Sequence, residues 1–426
     1  MRTTEPGELR NLRNLRNLRN LRDARPWRPP FMRALAAAVL FAAVSACAPT
    51  ASAPAAAPAE DWSGFGDLEN VLNWTPEQQL RGYRNMDRIY PTRPVPASGD
   101  PYPLPDRPRD LSDVRYTVDG TAFDIDAFMT HDHVVGLLVI KDGAVVLERY
   151  AQGNTPETKW YSFSVAKSVV SMLIGAAVKD GYIRSLDTPV TAYLPVMAGS
   201  AYDGASIRNV MQMASGVEWD EDYADPASDI ASIGGSALDR LRYLSRKPRV
   251  APPGTVFNYN TAETNLLGAV LRAAIGNNLS TYLEHEIWRP FGMEHDANWL
   301  LLSEDGAEHG GCCISATLRD YGRLGLFAMR DGRLRDGTSV LPDGWMRLTT
   351  TPSAANPGYG SLWWLRGGGV FEAVGIYGQS IHIDPGNDLV IVTHGAWPQA
   401  TNRDLSRHRA ALFQAVTDAL AGGARR

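Results

Sequence analysis

The stretch VVGLLVIKDGAVVLERY at residues 134–150 indicates two adjacent β-strands joined by a tight turn. Both runs are rich in Val, Ile and Leu, and Asp142-Gly143 between them favours a hairpin. Strand-like runs return late in the chain, at 370–376, 379–384 and 389–395, whereas helical patterns dominate the middle. The sequence therefore predicts an α/β (α+β) fold. An antiparallel sheet built from both ends of the chain would be flanked by helices, and the middle of the chain would form an all-helical lobe.

Changes in composition along the chain predict its organisation. The expected segments are a leader and signal at 1–46, a Pro/Ala-rich tether at 47–60, an N-terminal arm at 61–125, a discontinuous α/β domain at 126–195 and 298–423, and a helical lobe at 196–297. A chain of 426 residues that is 44% apolar is long enough to bury a large core.

The charge of the chain argues against nucleic acid as a partner. Nine arginines and three acids precede residue 47, so the remaining body has 33 basic and 44 acidic residues and a formal charge of −11. Nucleic-acid binders usually present a basic patch or stripe. No such stripe is visible in the body, so nucleic acid is not an expected partner.

The N-terminal region resembles an export signal. A basic tip and a short apolar run from Met32 lead to Val44-Ser45-Ala46-Cys47, which resembles the cleavage box of a bacterial lipoprotein. Cys47 would then be lipidated and would hold an exported protein to a membrane facing the periplasm or the cell exterior. The alternative is an ordinary export signal that is cut nearby, giving a secreted protein.

One serine and one lysine stand a single helical turn apart at the start of an apolar helix. In YSFSVAKSVVSML (161–173), Ser164 and Lys167 occupy positions i and i+3, which share a helix face. A serine hydroxyl needs a neighbouring base to become a nucleophile, and apolar surroundings make a lysine lose its charge more readily. The pair is therefore a candidate nucleophile and base, although a surface lysine near a polar cap would have the same spacing.

Two further segments bear on the same chemistry. Tyr259 lies just before an apolar helix in PPGTVFNYNTAETNLLGAVL (252–271), and a strand-like run at 372–385 contains Gly375 and Gly378. A glycine in a strand is typical of places where another backbone or a ligand approaches closely.

These three segments together resemble the serine β-lactamase-like hydrolases, a family with class C β-lactamases, D-alanyl-D-alanine carboxypeptidases, esterases and aminohexanoate-oligomer hydrolases. Ser164-Val165-Ala166-Lys167 matches the Ser-x-x-Lys motif, and Tyr259-Asn260-Thr261 matches the Tyr-x-Asn motif in its first position. Residues 373–376 fall where the Lys-Thr-Gly strand would lie. The resemblance covers roughly residues 125–420 and is closest to the esterase and oligomer-hydrolase branch.

The resemblance implies a role for each matched residue. Ser164 would be the acylated nucleophile, Lys167 its base, and Tyr259 a proton relay to the leaving group. The backbone N–H groups of Ser164 and Ile376 would form the oxyanion hole. Gly375, Tyr377 and Gly378 would contact the substrate. This mechanism uses no metal and no diffusible cofactor.

Two departures from the family motifs concern substrate recognition. Thr261 replaces the asparagine that contacts the acylamino group of β-lactams, and Ala373 and Val374 replace the Lys and Thr that would bind a substrate carboxylate. An alanine cannot supply a charge-assisted hydrogen bond. The sequence therefore favours a substrate other than a β-lactam.

Other potential sites are less specific. Adjacent Cys312 and Cys313 do not have the spacing of a zinc site and are either buried small residues or a vicinal disulfide. His382 and His394 on late strands, and the sequence His-Asp-His at 131–133, are more typical of packed or capping residues than of catalytic or metal-binding ones. No metal site is predicted.

The sequence predicts a serine hydrolase that cleaves ester or amide bonds of a small acyl substrate through a covalent acyl-enzyme. One alternative is a D-Ala-D-Ala peptidase or a weak β-lactamase. The alternative from another class is a non-catalytic, penicillin-binding-like sensor, which would have no need for Ser164, Lys167 and Tyr259.

Overall fold

A six-stranded antiparallel sheet forms the centre of the fold. The structure, a computed structural model, describes residues 71–304 and 306–422. The sheet has the order β5-β4-β12-β11-β10-β9. Its strands are β4 (Val134–Lys141), β5 (Ala144–Tyr150), β9 (Trp364–Gly367), β10 (Val370–Val374), β11 (Ser380–Asp384) and β12 (Leu389–Gly395).

The pairing of early and late strands confirms the fold class expected from the sequence. The 134–150 hairpin is present as β4 and β5, with Lys141 opposite Ala144. On its other edge β4 pairs with β12, where Lys141 lies opposite Leu389. The sequence GSLWWL at 360–365 also predicts a strand. β9 begins only at Trp364, because Leu362 has a left-handed backbone (φ 66°) that a strand cannot contain.

The helices either cover the sheet or form the middle of the chain. In chain order they are α1 (Pro76–Gly82), α2 (Met86–Ile89), α3 (Ile125–His131), α4 (Val165–Lys179), α5 (Ile207–Met211), α6 (Asp229–Ser232), α7 (Ala237–Ser245), α8 (Thr261–Ile275), α9 (Leu279–Leu283), α10 (Arg289–Phe291), α11 (Leu318–Met329), α12 (Trp345–Thr349) and α13 (Arg403–Gly422). A π-helical turn, Glu284–Trp288, joins α9 to α10. The sequence SLDTPVTAYLP at 185–195 predicts an extended connector. The segment instead contains a 3-10 turn at Val190–Ala192, and a second one begins at Pro195.

Alternate residues of β4 face two different cores. Leu138 and Ile140 pack in the larger core with α4 and α11, whereas Leu137 and Val139 pack in a second core with α13. This alternation follows from the two-residue period of a strand, and it requires both faces of the sheet to be covered. The apolar helix α4 is thus placed in the larger core.

Smaller sheets surround the central one. β1 (Thr92–Val95), β7 (Ala297–Leu300), β8 (Ile314–Ala316) and β6 (Trp160–Tyr161) form a four-stranded sheet in that order, and β2 (Tyr116–Val118) pairs with β3 (Thr121–Phe123). Part of the expected arm is therefore built into a sheet with later strands, while the proposed segment boundaries stay a prediction.

The described part of the chain contains no helix long and apolar enough to cross a membrane. The leader at 1–46, Cys47 and the tether at 47–60 lie outside the described residues, so the expectations for them stay predictions.

Candidate active site

Ser164 stands at the first turn of α4, at a position that the preceding strand fixes. β6 pairs with β8, and the hydroxyl of Ser162 accepts a hydrogen bond from the Ile314 N–H at 2.8 Å. Phe163 then adopts a left-handed backbone conformation (φ 47°), which is uncommon for a residue other than glycine. This reversal brings Ser164 to the N-terminus of α4, where unpaired N–H groups and the helix dipole favour negative charge.

Lys167 is buried because almost the whole of α4 is buried. Its side chain is 2% exposed. Its Nζ lies 2.8 Å from Ser164 Oγ, 2.9 Å from Thr261 Oγ1 and 2.8 Å from the Gly311 carbonyl oxygen. Three segments of the chain therefore meet at one amine, and the predicted contact between Ser164 and Lys167 is present.

Burial changes the acidity of this amine. Desolvation lowers the pKa of Lys167 to about 8, while the Glu221 carboxylate acts in the opposite direction. A neutral amine has two N–H donors and one lone pair. The carbonyl of Gly311 and the oxygen of Thr261 can take the two donors, which leaves the lone pair for the Ser164 hydroxyl proton.

Thr261 links Lys167 to Glu221. The Thr261 hydroxyl donates to Glu221, and the Thr261 N–H donates to the same carboxylate at 3.0 Å. The hydroxyl of Tyr223 donates to Glu221 at 2.7 Å, and the indole N–H of Trp219 donates as well. These donors hold the carboxylate in place, and Thr261, with its hydroxyl proton given to Glu221, can only accept from Lys167.

Tyr259 lies beside the same pair, immediately before α8. Asn260 caps that helix by accepting the Glu263 N–H at 3.0 Å. Lys167 Nζ is 5.1 Å from the centroid of the Tyr259 ring, which also stacks on Trp364. Burial raises the pKa of Tyr259, the charge of Glu221 raises it further, and the Ser164 hydroxyl lowers it. The phenol is therefore neutral near pH 7 and is a proton donor.

A cavity of about 560 Å³ opens in front of Ser164. Ser164, Ile376, Thr261 and Gly311 lie in its wall. Ile376 follows β10, in a 3-10 turn whose next residue, Tyr377, has a left-handed backbone (φ 60°). The two residues whose N–H groups were expected to bind an oxyanion thus line the same cavity.

The predicted substrate contacts of Gly375, Tyr377 and Gly378 have a different local setting. A Cβ on Gly375 would meet the Ser162 carbonyl oxygen at 2.4 Å, and one on Gly378 would meet the Trp397 ring at 2.5 Å. Tyr377 is buried, and its hydroxyl donates to the Leu72 carbonyl at 2.7 Å. The three residues pack against protein rather than line the main cavity, and their role in substrate binding stays a prediction.

Several residues of the site were missed by sequence reasoning. Gly311 lies so close to α8 that a Cβ there would meet the Thr261 carbonyl oxygen at 2.5 Å. Tyr223 and residues 230–234 also line the cavity. In the sequence, the acidic stretch YADPASD at 223–229 is more typical of a solvated turn than of a loop near a pocket. In the sequence, the adjacent glycines at 310–311 indicate that another part of the chain packs closely against this backbone. Which part it is cannot be told without the fold.

Ala373 occupies the position of the lysine in the Lys-Thr-Gly motif, and its surroundings are apolar. Its side chain is buried in the larger core, against residues of α4 and α11. A cation at this position would have to be held inside the fold.

The histidines and cysteines singled out in the sequence lie in separate surroundings. His382 pairs with Glu372 through Nδ1 at 2.8 Å, and buried His394 has a pKa lowered to about 3 by desolvation. Of the His-Asp-His sequence, His131 lies near Asp404 and His408, with side-chain ligand atoms within 4.8 Å of one another. Cys312 borders the main cavity, Cys313 is buried, and their sulfur atoms are in contact.

The fold and the match to known sequences define the class of protein. The beta-lactamase family model matches residues 124–419, about two thirds of the chain. The chain belongs to the beta-lactamase family and is a serine hydrolase of that family.

Individual relatives carry several activities. The chain is 28% identical over 308 residues to a 6-aminohexanoate-dimer hydrolase from Paenarthrobacter ureafaciens, which covers 66% of this chain and 78% of that protein. It is 25% identical over 196 residues to a beta-lactamase from Pseudomonas fluorescens, covering 43% and 51%. A solved Bacillus anthracis structure, assigned as a 6-aminohexanoate-dimer hydrolase, shares the fold with a TM-score of 0.71 at 22% identity, covering 80% and 94%.

Proposed function

We propose that this serine hydrolase cleaves ester or amide bonds of a small acyl substrate through a covalent acyl-enzyme on Ser164. The observation that carries the proposal is the 2.8 Å contact between Ser164 Oγ and the buried Nζ of Lys167. An amine with a pKa of about 8 is neutral in part of the molecules near pH 7 and can accept a proton.

The proposed reaction has two halves. Lys167 takes the proton of Ser164 as its oxygen attacks the substrate carbonyl, and the N–H groups of Ser164 and Ile376 bind the resulting oxyanion. Tyr259 donates its proton to the departing alcohol or amine and regains one from Lys167. A water molecule then attacks the acyl-serine by the same route, which releases the acid and restores Ser164.

A fluorophosphonate probe tests the nucleophile directly. The wild-type protein should be labelled covalently, and Ser164→Ala should lose both labelling and turnover, the latter by roughly three to six orders of magnitude. Ser168→Ala is the matched control: it removes a buried serine hydroxyl from the same helix, one that bonds the Leu362 carbonyl rather than Lys167. Labelling that survives in Ser164→Ala would refute the proposal, and so would a wild-type protein that never labels.

The alternatives predict different results. A D-Ala-D-Ala peptidase or weak β-lactamase would label but would prefer cell-wall peptides or a chromogenic cephalosporin. Thr261 in place of asparagine and the buried Ala373 argue against β-lactams as good substrates. A sensor would bind such compounds but would neither be labelled by the fluorophosphonate nor turn them over. The buried Lys167 would have no function in such a protein.

We further propose that the chain is exported and held to the membrane by a lipid on Cys47. The alternative is a secreted protein without the lipid. Its sequence Val44-Ser45-Ala46-Cys47 supports this. Metabolic labelling with a palmitate analogue should mark the wild-type chain and not Cys47→Ser.

A further inference from the structure

The cavity in front of Ser164 has an uneven distribution of charge. At 560 Å³ it is large enough for a small ligand. Its described wall contains one arginine, Arg240 of α7, and one histidine, His309, but neither Asp nor Glu. A ligand that occupies the space between Ser164 and α7 therefore meets a cation and no protein carboxylate.

Arg240 has no acidic partner among the described residues. It is half-buried, and its Nε donates to the Gly235 carbonyl at 3.3 Å. Across residues 71–304 and 306–422 it forms no ion pair, whereas Arg242 on the same helix pairs with Asp239 at 3.4 Å. Desolvation lowers the pKa of Arg240 to about 10, so the group still carries its charge near pH 7. A partly desolvated cation without a counter-ion is costly to maintain.

His309 adds a second polar group to this wall. Burial lowers its pKa well below the usual value, and the charges of Arg240 and Lys167 lower it further. The ring is therefore neutral and retains one N–H. Its Nδ1 is buried and forms no hydrogen bond within the described chain. That nitrogen has no accessible surface, so the atom of this ring that can meet a ligand in the cavity is the other nitrogen, Nε2.

We propose that Arg240 and His309 bind a carboxylate on the substrate, so that this hydrolase prefers linear esters or amides that carry a negative charge at a distance from the scissile bond. Arg240 supplies a charged fork that matches a carboxylate, and His309 supplies an N–H or accepts one from an intervening water. The β10 strand cannot provide this cation, since Ala373 is buried in the core. The inference rests on the proposed function and names its substrate class.

Matched substrates test the inference. Mono-p-nitrophenyl esters of butanedioic, hexanedioic and octanedioic acid have a free carboxylate, and their methyl-capped counterparts do not. A carboxylate on the leaving side is tested with 6-acetamidohexanoate and its amide. In the wild-type enzyme, kcat/KM should favour the charged member of at least one pair by about tenfold to a hundredfold.

Three variants then assign that preference to Arg240. Arg240→Gln should abolish the ratio between charged and neutral substrates, and Arg240→Lys should restore part of it. Arg246→Gln, an exposed arginine at the end of the same helix, should leave the ratio unchanged. If Arg240→Gln lowers kcat/KM for both members equally, Arg240 has only a structural role and the inference is wrong.

A binding experiment separates failure of the inference from failure of the proposed function. Hexanedioate and hexanediamide are titrated calorimetrically into Ser164→Ala protein and its Arg240→Gln derivative. Tighter binding of hexanedioate that depends on Arg240 supports the site even if none of the esters is hydrolysed. Equal binding of the two compounds would overturn the inference even if every ester is hydrolysed.

Discussion

Lys167 concentrates the chemistry of the site in one amine, and its environment makes two properties testable. The first is its ability to lose a proton. Arginine keeps the charge at position 167 but does not deprotonate in proteins, so Lys167→Arg should be almost as damaging as Lys167→Ala, with kcat/KM reduced by about 10²–10⁴-fold. Ester hydrolysis measured on both variants checks this. Half of the wild-type rate in the arginine variant would assign the base to another group.

The second property is the pH at which the proton leaves. Only neutral Lys167 accepts the Ser164 proton, so kcat/KM for an uncharged ester should rise with pH and level off above an apparent pKa of about 8. Below this value the rate should fall about tenfold per pH unit, because the charged fraction of the amine dominates there. A pH–rate profile measures this rise of kcat/KM with pH, and the residual activity of Lys167→Arg should not show it.

Glu221 should influence the apparent pKa at which kcat/KM levels off. Its carboxylate raises the pKa of Lys167, so Glu221→Gln should move the apparent pKa to lower pH. Asp222→Asn is the control, since Asp222 is exposed and bonds the Ala224 N–H rather than the site. An upward shift in Glu221→Gln, or equal shifts in the two variants, would contradict this electrostatic assignment.

The residues of the site differ in how far the sequence could reveal them. Ser164 and Lys167 share one helical turn, so their contact follows from local geometry alone. Thr261 and the Gly311 carbonyl reach Lys167 from 94 and 144 positions away. Such contacts depend on how α8 and the 306–313 loop pack on α4, which no local pattern encodes.

At the scale of elements, the glycines of α11 show how closely a helix can pack on a sheet. A Cβ on Gly325 would lie 2.6 Å from Val390 Cγ1 and 2.9 Å from Ile381 Cγ2. Alanine is the better helix former, yet Gly325→Ala should lower the free energy of unfolding by about 1–3 kcal/mol because it overpacks this contact. Urea unfolding measures the change. A stabilised variant would contradict the prediction and would show that the strands can shift to make room for the added methyl group.

Elements with a strong period were predictable, and those defined by tertiary contacts were not. Helix α4 begins after Ser164 and ends before Gly181 (φ 80°), as the apolar run and the glycine predict. The 3-10 turns near residue 190 have no such period. Their backbone is set by contacts such as the bond from the Val190 N–H to the Ala205 carbonyl.

For the molecule as a whole, the second core makes α13 part of the fold rather than an appendage. Leu412 is fully buried there with residues of β4 and β12. Leu412→Ala should cost about 2–5 kcal/mol of unfolding free energy, whereas exposed Gln414→Ala on the same helix should change it by less than about 0.5 kcal/mol. Fluorophosphonate labelling of the folded variant at low temperature should persist, since α13 covers the sheet face opposite α4. Indistinguishable midpoints for the two variants would contradict this.

The pairing of β4 with β12 also sets a timetable for biosynthesis. Lys141 meets Leu389, 248 positions later in the chain. At translation speeds of about 5–20 residues per second, the early hairpin waits roughly 12–50 seconds for its neighbour to be made. Throughout that interval one edge of β4 has no partner strand, and such edges pair readily with other chains. Whether the chain folds during synthesis or after export, this edge must be shielded until β12 pairs with it, so the yield in a cell reflects the supply of chaperones as well as the stability of the finished fold.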